Sequence, residues 1–205
     1  MTFYEIATLK TVIFGAGKAA PGVEAWVNAP EAGGRLLGAF ATEIGPLNEV
    51  LVLRAFESLA ELAEERRRAL TAENPFNCVE HLVDLRFDSY RPLDFLPEVE
   101  PGTYGPIYEF RTYRTRLNGI APTTEKWRAA VPGRTPYSPL TIAMTGFDGP
   151  PRLTQIWPYP SLEARARARG QSVAEGAWPP KGGPDWLDPE MTSLVALPLG
   201  FSPLK

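Results

Sequence analysis

The chain has 205 residues, of which 44 % are hydrophobic and 22 % charged, and 21 basic against 24 acidic side chains leave a formal charge of −3. Such shares belong to an ordinary globular protein with a real core; they exclude collagen-like, disordered and coiled-coil classes, and the slight negative charge gives no general attraction to nucleic acid. No apolar run approaches the roughly 18 residues of a membrane-crossing helix, and one Cys with one His can form neither an internal disulfide nor a structural zinc set.

The opening residues Met1-Thr2-Phe3-Tyr4-Glu5-Ile6 show no basic segment followed by an apolar one, and the first Arg is Arg35. A reducing cytoplasm is therefore the expected compartment. Residues 3–9 alternate as a strand, and Ala19, Val23, Trp26 and Val27 then recur at helical spacing before Gly33-Gly34. Two strand-like runs, 35–44 and 48–55, flank Gly45-Pro46-Leu47 and predict a hairpin. Ser58 with Glu61 three residues later forms a capping box for the next helix. Leu59, Leu62, Ala63 and Leu70 give that helix its apolar stripe, with Glu64, Glu65, Arg67 and Arg68 expected to face away. An extended segment over 89–95 closes the series, and the path over 74–86 is ambiguous.

A similar order returns further along the chain. Tyr4-Glu5-Ile6-Ala7-Thr8 is echoed by Tyr108-Glu109-Phe110-Arg111-Thr112, 104 residues later, and the strand leading into Ser58-Leu59 by the strand leading into Ser161-Leu162, 103 residues later. Two motifs in the same order at nearly one offset indicate a duplication, with units expected at 1–100 and 101–205 and a Pro- and Gly-broken junction over 98–106. The second unit predicts strands over 107–113, 140–145 and 152–157, a short helix after Pro122 and a helix over 161–169. Sixteen of the 22 prolines follow residue 100, clustering in 178–186, where Trp178 and Trp186 are too apolar for a free linker.

Strand, helix, strand, strand, helix, strand is the βαββαβ order of a ferredoxin-like unit, an antiparallel sheet with both helices on one face. The other face must be buried, and a tandem copy in the same chain is the nearest partner. The fold class expected is α+β.

The repeated phrases resemble the NIPSNAP family, through Tyr108-Glu109-Phe110-Arg111-Thr112-Tyr113 and Ile156-Trp157-Pro158-Tyr159-Pro160-Ser161-Leu162, and more loosely through Tyr4 to Thr8 and Arg54-Ala55-Phe56-Glu57-Ser58-Leu59. The resemblance implies a dimeric α+β barrel, two ferredoxin-like sheets facing each other around an internal cavity, here formed by the two halves of one chain. It brings no settled reaction; relatives with such a barrel include cofactor-free monooxygenases, isomerases and haem-binding proteins. The first unit departs from the pattern at Ala7, where the second has Arg111.

Residues two apart on a strand share a face. Tyr108, Phe110 and Thr112 form one set and Glu109, Arg111 and Tyr113 the other. If the apolar set meets the helices, the second set points into the barrel, joined by Gln155 and Trp157, with Glu5 and Arg54 from the first unit. These seven are the candidate ligand-binding residues. Two readings stay open: a cavity in which Arg grips a carboxylate and Trp stacks on a small aromatic ligand, or Glu–Arg pairs that fix the register of the two halves.

Elsewhere, His81 reads as a surface or packing residue and Cys78 as an unreactive thiol, while Gly15-Ala16-Gly17-Lys18 lacks the spacing of a phosphate loop. The basic runs 66–68 and 165–169 read as solvated helix surface. The function expected is that of a NIPSNAP-like protein binding a small molecule or protein partner through a barrel cavity. The alternative is a cofactor-independent monooxygenase or isomerase acting on a small aromatic or carbonyl compound, with Glu109 or Tyr113 moving a proton and Arg111 stabilising negative charge. A role in assembly through the 178–186 loop is a third. No cofactor or metal is expected, His81 lying outside the cavity strands; nucleic acid and membrane insertion are excluded, and self-association is allowed.

Overall fold

The computed structural model describes residues 2–205. Its first unit runs β1 (Phe3–Thr11), α1 (Ala16–Val27), β2 (Arg35–Ile44), β3 (Glu49–Phe56), α2 (Leu59–Thr71) and β4 (Leu82–Pro92). The second repeats the order as β5 (Ile107–Thr115), α3 (Ile120–Arg134), β6 (Ile142–Gly146), β7 (Arg152–Tyr159), α4 (Leu162–Ala174) and β8 (Leu187–Pro198). Equivalent caps mark the duplication: the Ser58 hydroxyl accepts from the Glu61 N–H at 3.1 Å, and that of Ser161 from the Ala164 N–H at 3.1 Å. These bonds satisfy a helix-start donor that would otherwise lack a partner.

All eight strands pair antiparallel in one closed barrel, in the order β1-β3-β2-β8-β5-β7-β6-β4, with β4 returning to β1. Two seams join the units. One pairs β2 with β8, setting Phe40 opposite Pro198, and the other pairs β4 with β6, setting Tyr90 opposite Gly146. Among the described residues, closure leaves no sheet edge to recruit another chain.

The barrel interior is packed with side chains, apolar over most of its length and polar toward one end, where Thr112 meets Thr154 at 2.9 Å and Arg152 stacks on Tyr90 at 4.8 Å. Tyr4, Ile6, Phe40, Leu53, Tyr108, Phe110, Ile142 and Ile156 form one cluster drawn from both units, and Phe40 packs against the Tyr108 and Phe110 rings at 4.9 and 5.3 Å. Val99 and Leu204 join this cluster from the junction and the C-terminal tail, which are tied together by the Gly102 N–H to Pro203 carbonyl bond of 3.0 Å. Side chains thus occupy the space where a cavity was expected, as the bore of an eight-stranded barrel allows.

Four elements differ from the sequence reading, among them α3, which starts at Ile120, before Pro122, and runs for 15 residues. Strand β4 begins at Leu82 rather than at residue 89, after two short 3-10 turns, Pro75–Asn77 and Val79–His81. The Asn74 side chain accepts from the Val79 N–H at 2.8 Å there, a local bond that carries no periodic signature. Strand β8 was not anticipated, because Pro189 and the polar residues up to Ser193 interrupt its alternation. Helix α4 runs on to Ala174, beyond residue 169.

Candidate functional site

The alternation of β1 and β5 is as expected, but the faces are exchanged. Tyr4, Ile6, Tyr108 and Phe110 point into the barrel, while Glu5, Ala7 and Leu9 in β1 and Glu109 in β5 lie against the helices. The barrel bore takes the aromatic and aliphatic set, with Thr8, Thr112, Thr154 and Arg152 continuing the same strand faces toward one end. Helix α2 buries only Leu62, Glu65 and Ala69, and α4 only Ser172, so these helices cover the sheet with charged side chains.

Under α2 every carboxylate and every guanidinium has an ion partner. Glu5 faces Arg54 across the β1–β3 pair, and Arg54 bridges Glu5, at 3.1 Å, and Glu65. Arg66 grips the other Glu5 oxygen through two bonds of 3.0 and 2.8 Å, and Arg68 binds both Glu65 oxygens while stacking 3.7 Å over Trp26. Glu65, expected on the solvent face, is 2 % exposed. Burial pushes the Glu5 carboxyl upward against the pull of Arg54 and Arg66. For Glu65 burial also acts upward, but Arg68 and Arg54 outweigh it and hold the carboxyl low. In this cluster the pairs form between sheet and helix inside one unit, while the seam has pairs of its own: Arg66 also reaches Asp148 at 3.6 Å, and Arg152 of β7 binds Asp88 of β4 at 3.1 Å.

Under α3 and α4 the pairing is incomplete. Glu109 stands opposite Trp157, as Glu5 stands opposite Arg54, so the second unit has an indole where the first has a guanidinium. Three donors converge on one Glu109 oxygen, Oε1: Arg111 and Arg165 at 2.5 Å and the Ser193 hydroxyl at 2.7 Å. Burial alone would raise this carboxyl, but the bonds from Arg165, Ser193 and Arg111 bring it down to about 2. The second oxygen, Oε2, is buried without a partner. Counting from the two caps, Ala168 takes the place of Glu65, so α4 brings no second carboxylate.

The same layer holds Arg134, at the end of α3 and 2 % exposed. Its side chain lies over the Trp157 ring at 4.8 Å and gives the Tyr159 hydroxyl a long bond of 3.5 Å, while Nη1 has no partner. Burial lowers its pKa, with the charges of Arg169 and Glu109 also reaching it. Gln155 accepts from the Trp157 indole N–H at 2.9 Å and leaves its buried Nε2 unpartnered. Trp127 and Trp178 complete the layer, Trp178 meeting Trp127 edge-on at 4.8 Å and Trp157 at 6.0 Å. Beside them a pocket of about 300 Å³ opens between α3 and residues 176–181, lined by Ala130, Gly133, Ala177, Pro180 and the two lysines Lys126 and Lys181.

Of the seven expected residues, the structure brings Glu109, Arg111 and Tyr113 together, Arg111 giving the Tyr113 hydroxyl a 2.7 Å bond, and Gln155 beside Trp157. Glu5 and Arg54 form the separate, fully ion-paired cluster. None of the seven lines the interior cluster of the barrel. Arg165, read as solvated, reaches the buried Glu109, as Arg66 and Arg68 reach Glu5 and Glu65. Arg134 was missed: it follows Pro132-Gly133, where no periodic pattern announces an inward position. Gly15 to Lys18 run into the start of α1. Cys78 is buried, its thiol pushed up to about 11 by desolvation, and His81 lies beside Glu80 at 3.5 Å in the first unit.

A barrel closed by two ferredoxin-like sheets, with the charged layer outside it and under the helices, defines a dimeric α+β barrel protein carried on one chain. The chain belongs to the NIPSNAP family, whose signature matches residues 4–96 and again 108–203, once per unit. Among solved structures it is similar to an anthrone oxidase-like protein, with a TM-score of 0.65 and 13 % identity over 98 % of this chain and 93 % of that one. It is also similar to chlorite dismutase from Candidatus Nitrospira defluvii, solved as a point mutant, with a TM-score of 0.58 and 10 % identity over 97 % and 91 % of the two chains. A NIPSNAP family protein from Agrobacterium tumefaciens str. C58 is 22 % identical over 53 % of this chain and 98 % of its own, with a TM-score of 0.45. The two full-length likenesses show the fold. No curated protein matches the sequence, and among the described residues no helix is long and apolar enough to cross a membrane.

Proposed function

We propose that the second unit binds a small organic anion with a planar apolar body, seated between its sheet and helices α3 and α4. The observation that carries this reading is Arg134, a buried guanidinium to which the protein offers a hydroxyl and an indole face in place of a carboxylate. Taking such an ion out of water without a bonded counter-ion costs several kcal/mol, and a carboxylate ligand supplies one in bidentate form. Trp127, Trp157 and Trp178 form an aromatic layer for a planar body to slot against, and the pocket of about 300 Å³, whose lining includes Gly133 and Ala177, the chain neighbours of Arg134 and Trp178, has the volume of a small-ligand site. Lys126 and Lys181 at its lining favour anionic molecules. The site lies outside the barrel bore, which side chains fill. Glu109, ionised down to about pH 2, is a weak base at neutral pH, which favours an anchoring part for it over a proton-transferring one.

Isothermal titration calorimetry with 2-naphthoate and neutral 2-naphthamide tests the reading on the full chain. The acid should bind at least about tenfold tighter than the amide, the worth of a hydrogen bond to a charged group, and Arg134→Gln should erase that difference. Equal binding of acid and amide, or an unchanged difference in the variant, refutes it.

A further inference from the structure

We infer that the molecule held under α3 and α4 carries a hydroxyl or amino donor as well as its anionic group: a hydroxy- or amino-substituted aromatic carboxylate. The inference rests on the binding reading above and deepens it. Beside the hydroxyls of Thr115, Thr123 and Ser138, which can both donate and accept, four buried charged or amide atoms of the second unit lack partners, and their chemistry is not uniform. Arg134 Nη1, Gln155 Nε2 and Arg165 Nε are donors and need acceptors, whereas Glu109 Oε2 is an acceptor and needs a donor.

The sequence places these groups on one layer. Glu109 and Gln155 are diagonal neighbours on adjacent strands, since Glu109 is opposite Trp157 and Arg111 opposite Gln155. Arg165 already touches Glu109 through Nη2, and Arg134 stacks on Trp157, the residue whose indole is bonded to Gln155. All three protein donors to Glu109 choose the same oxygen, although a carboxylate has room for donors on both. The acidity of Glu109 keeps it ionised at neutral pH, so it can only accept. A simple carboxylate would satisfy the three donors and leave Oε2 stranded opposite its own negative charge. An occupant with an O–H or N–H satisfies both halves of the set.

The first unit provides an internal contrast. In the cluster of Glu5, Arg54, Glu65, Arg66 and Arg68, Arg54 Nε is the one buried side-chain atom left without a partner, and both carboxylates are bonded through both oxygens. The unpartnered set therefore belongs to the second unit, not to the fold in general.

The test compares 2-naphthoate with its 5-, 6- and 7-hydroxy derivatives and with their methyl ethers, which keep an acceptor at the same place and lose the donor. At least one hydroxy acid should bind about tenfold or more tighter than 2-naphthoate, its ether should lose that gain, and Glu109→Gln should cut the gain to less than about threefold. If hydroxy acids and ethers bind alike while the acid still outbinds the amide and Arg134→Gln still abolishes that preference, this inference falls and the anion-binding reading stands. If the acid no longer outbinds the amide, both fall. The ligand series on the unaltered protein decides the matter even if the Glu109 variant fails to fold.

Discussion

Arg54 and Arg134 are both buried guanidiniums at the sheet–helix layer, 1 % and 2 % exposed, yet replacing each by Met should change stability in opposite directions. Arg54 bridges two carboxylates, so Arg54→Met strands part of the charge of Glu5 and Glu65, each of which keeps one arginine, Arg66 or Arg68. Breaking a buried pair costs roughly 3–5 kcal/mol; with those remaining partners the lower end, about 3 kcal/mol, applies. For a domain of this size that corresponds to a fall in Tm of about 6–12 °C. Arg134→Met removes a buried charge with no carboxylate on it. What is lost is the stacking on Trp157, about 2 kcal/mol when desolvated, and one long bond to Tyr159. What is recovered is a desolvation penalty of several kcal/mol, with side-chain volume nearly kept. The expected net change runs from zero to about 2 kcal/mol of added stability, together with loss of 2-naphthoate binding. Urea denaturation of the three proteins at pH 7, followed by circular dichroism, measures both stability changes. A loss in Arg134→Met as large as that in Arg54→Met would refute the reasoning, since Arg134 would then have a structural partner of its own.

The depressed Glu109 carboxyl predicts acid sensitivity. Its folded value of about 2 lies below the ordinary 4.5, so the stability it contributes is complete above about pH 4.5 and is lost as pH falls toward 2. At roughly 1.4 kcal/mol for each pH unit between the two values, the contribution is about 3 kcal/mol, and Glu109→Gln should flatten the stability profile over this window. An unaltered profile in the variant would count against the assignment. Cys78 should resist a thiol reagent at pH 8 until the protein unfolds, because burial raises its thiol to about 11; rapid labelling of the native protein is the contrary result. Gly22 lies within α1, where Ala normally gains about 1 kcal/mol. A Cβ there would stand 2.4 Å from the Asn77 carbonyl oxygen, so Gly22→Ala should instead destabilise by about 1–3 kcal/mol in thermal denaturation.

The duplication and the βαββαβ order were legible because they rest on local marks: the Tyr-Glu strand phrase and the serine caps recur at nearly one spacing. The choice of faces was not. Alternation says which residues travel together, but it cannot say whether Tyr108 and Phe110 meet helices or another sheet. The clue lay in the helices, since α2 and α4 have too few apolar residues to cover an apolar sheet face, and their Arg66, Arg68 and Arg165 recur at positions that can turn inward. Strand β8 and Arg134 stayed hidden for another reason. Both sit in Pro- and Gly-broken stretches whose conformation is set by distant partners, β2 and β5 for the strand and the Trp157 ring for the arginine.

The two seams, β2 with β8 and β4 with β6, have a consequence for how the halves diverge. A barrel assembled from two identical chains obeys two-fold symmetry, so every substitution appears twice and a weakened ion cluster weakens both sides. Covalent linkage removes that constraint and also makes closure independent of protein concentration. One half can then keep Glu5, Arg54 and Glu65 as an ion-paired strut that holds the shared core. The other is free to trade its arginine for Trp157 and to carry a charge at Arg134 with no carboxylate bonded to it, borrowing across the seams the rigidity that such a site would otherwise lose.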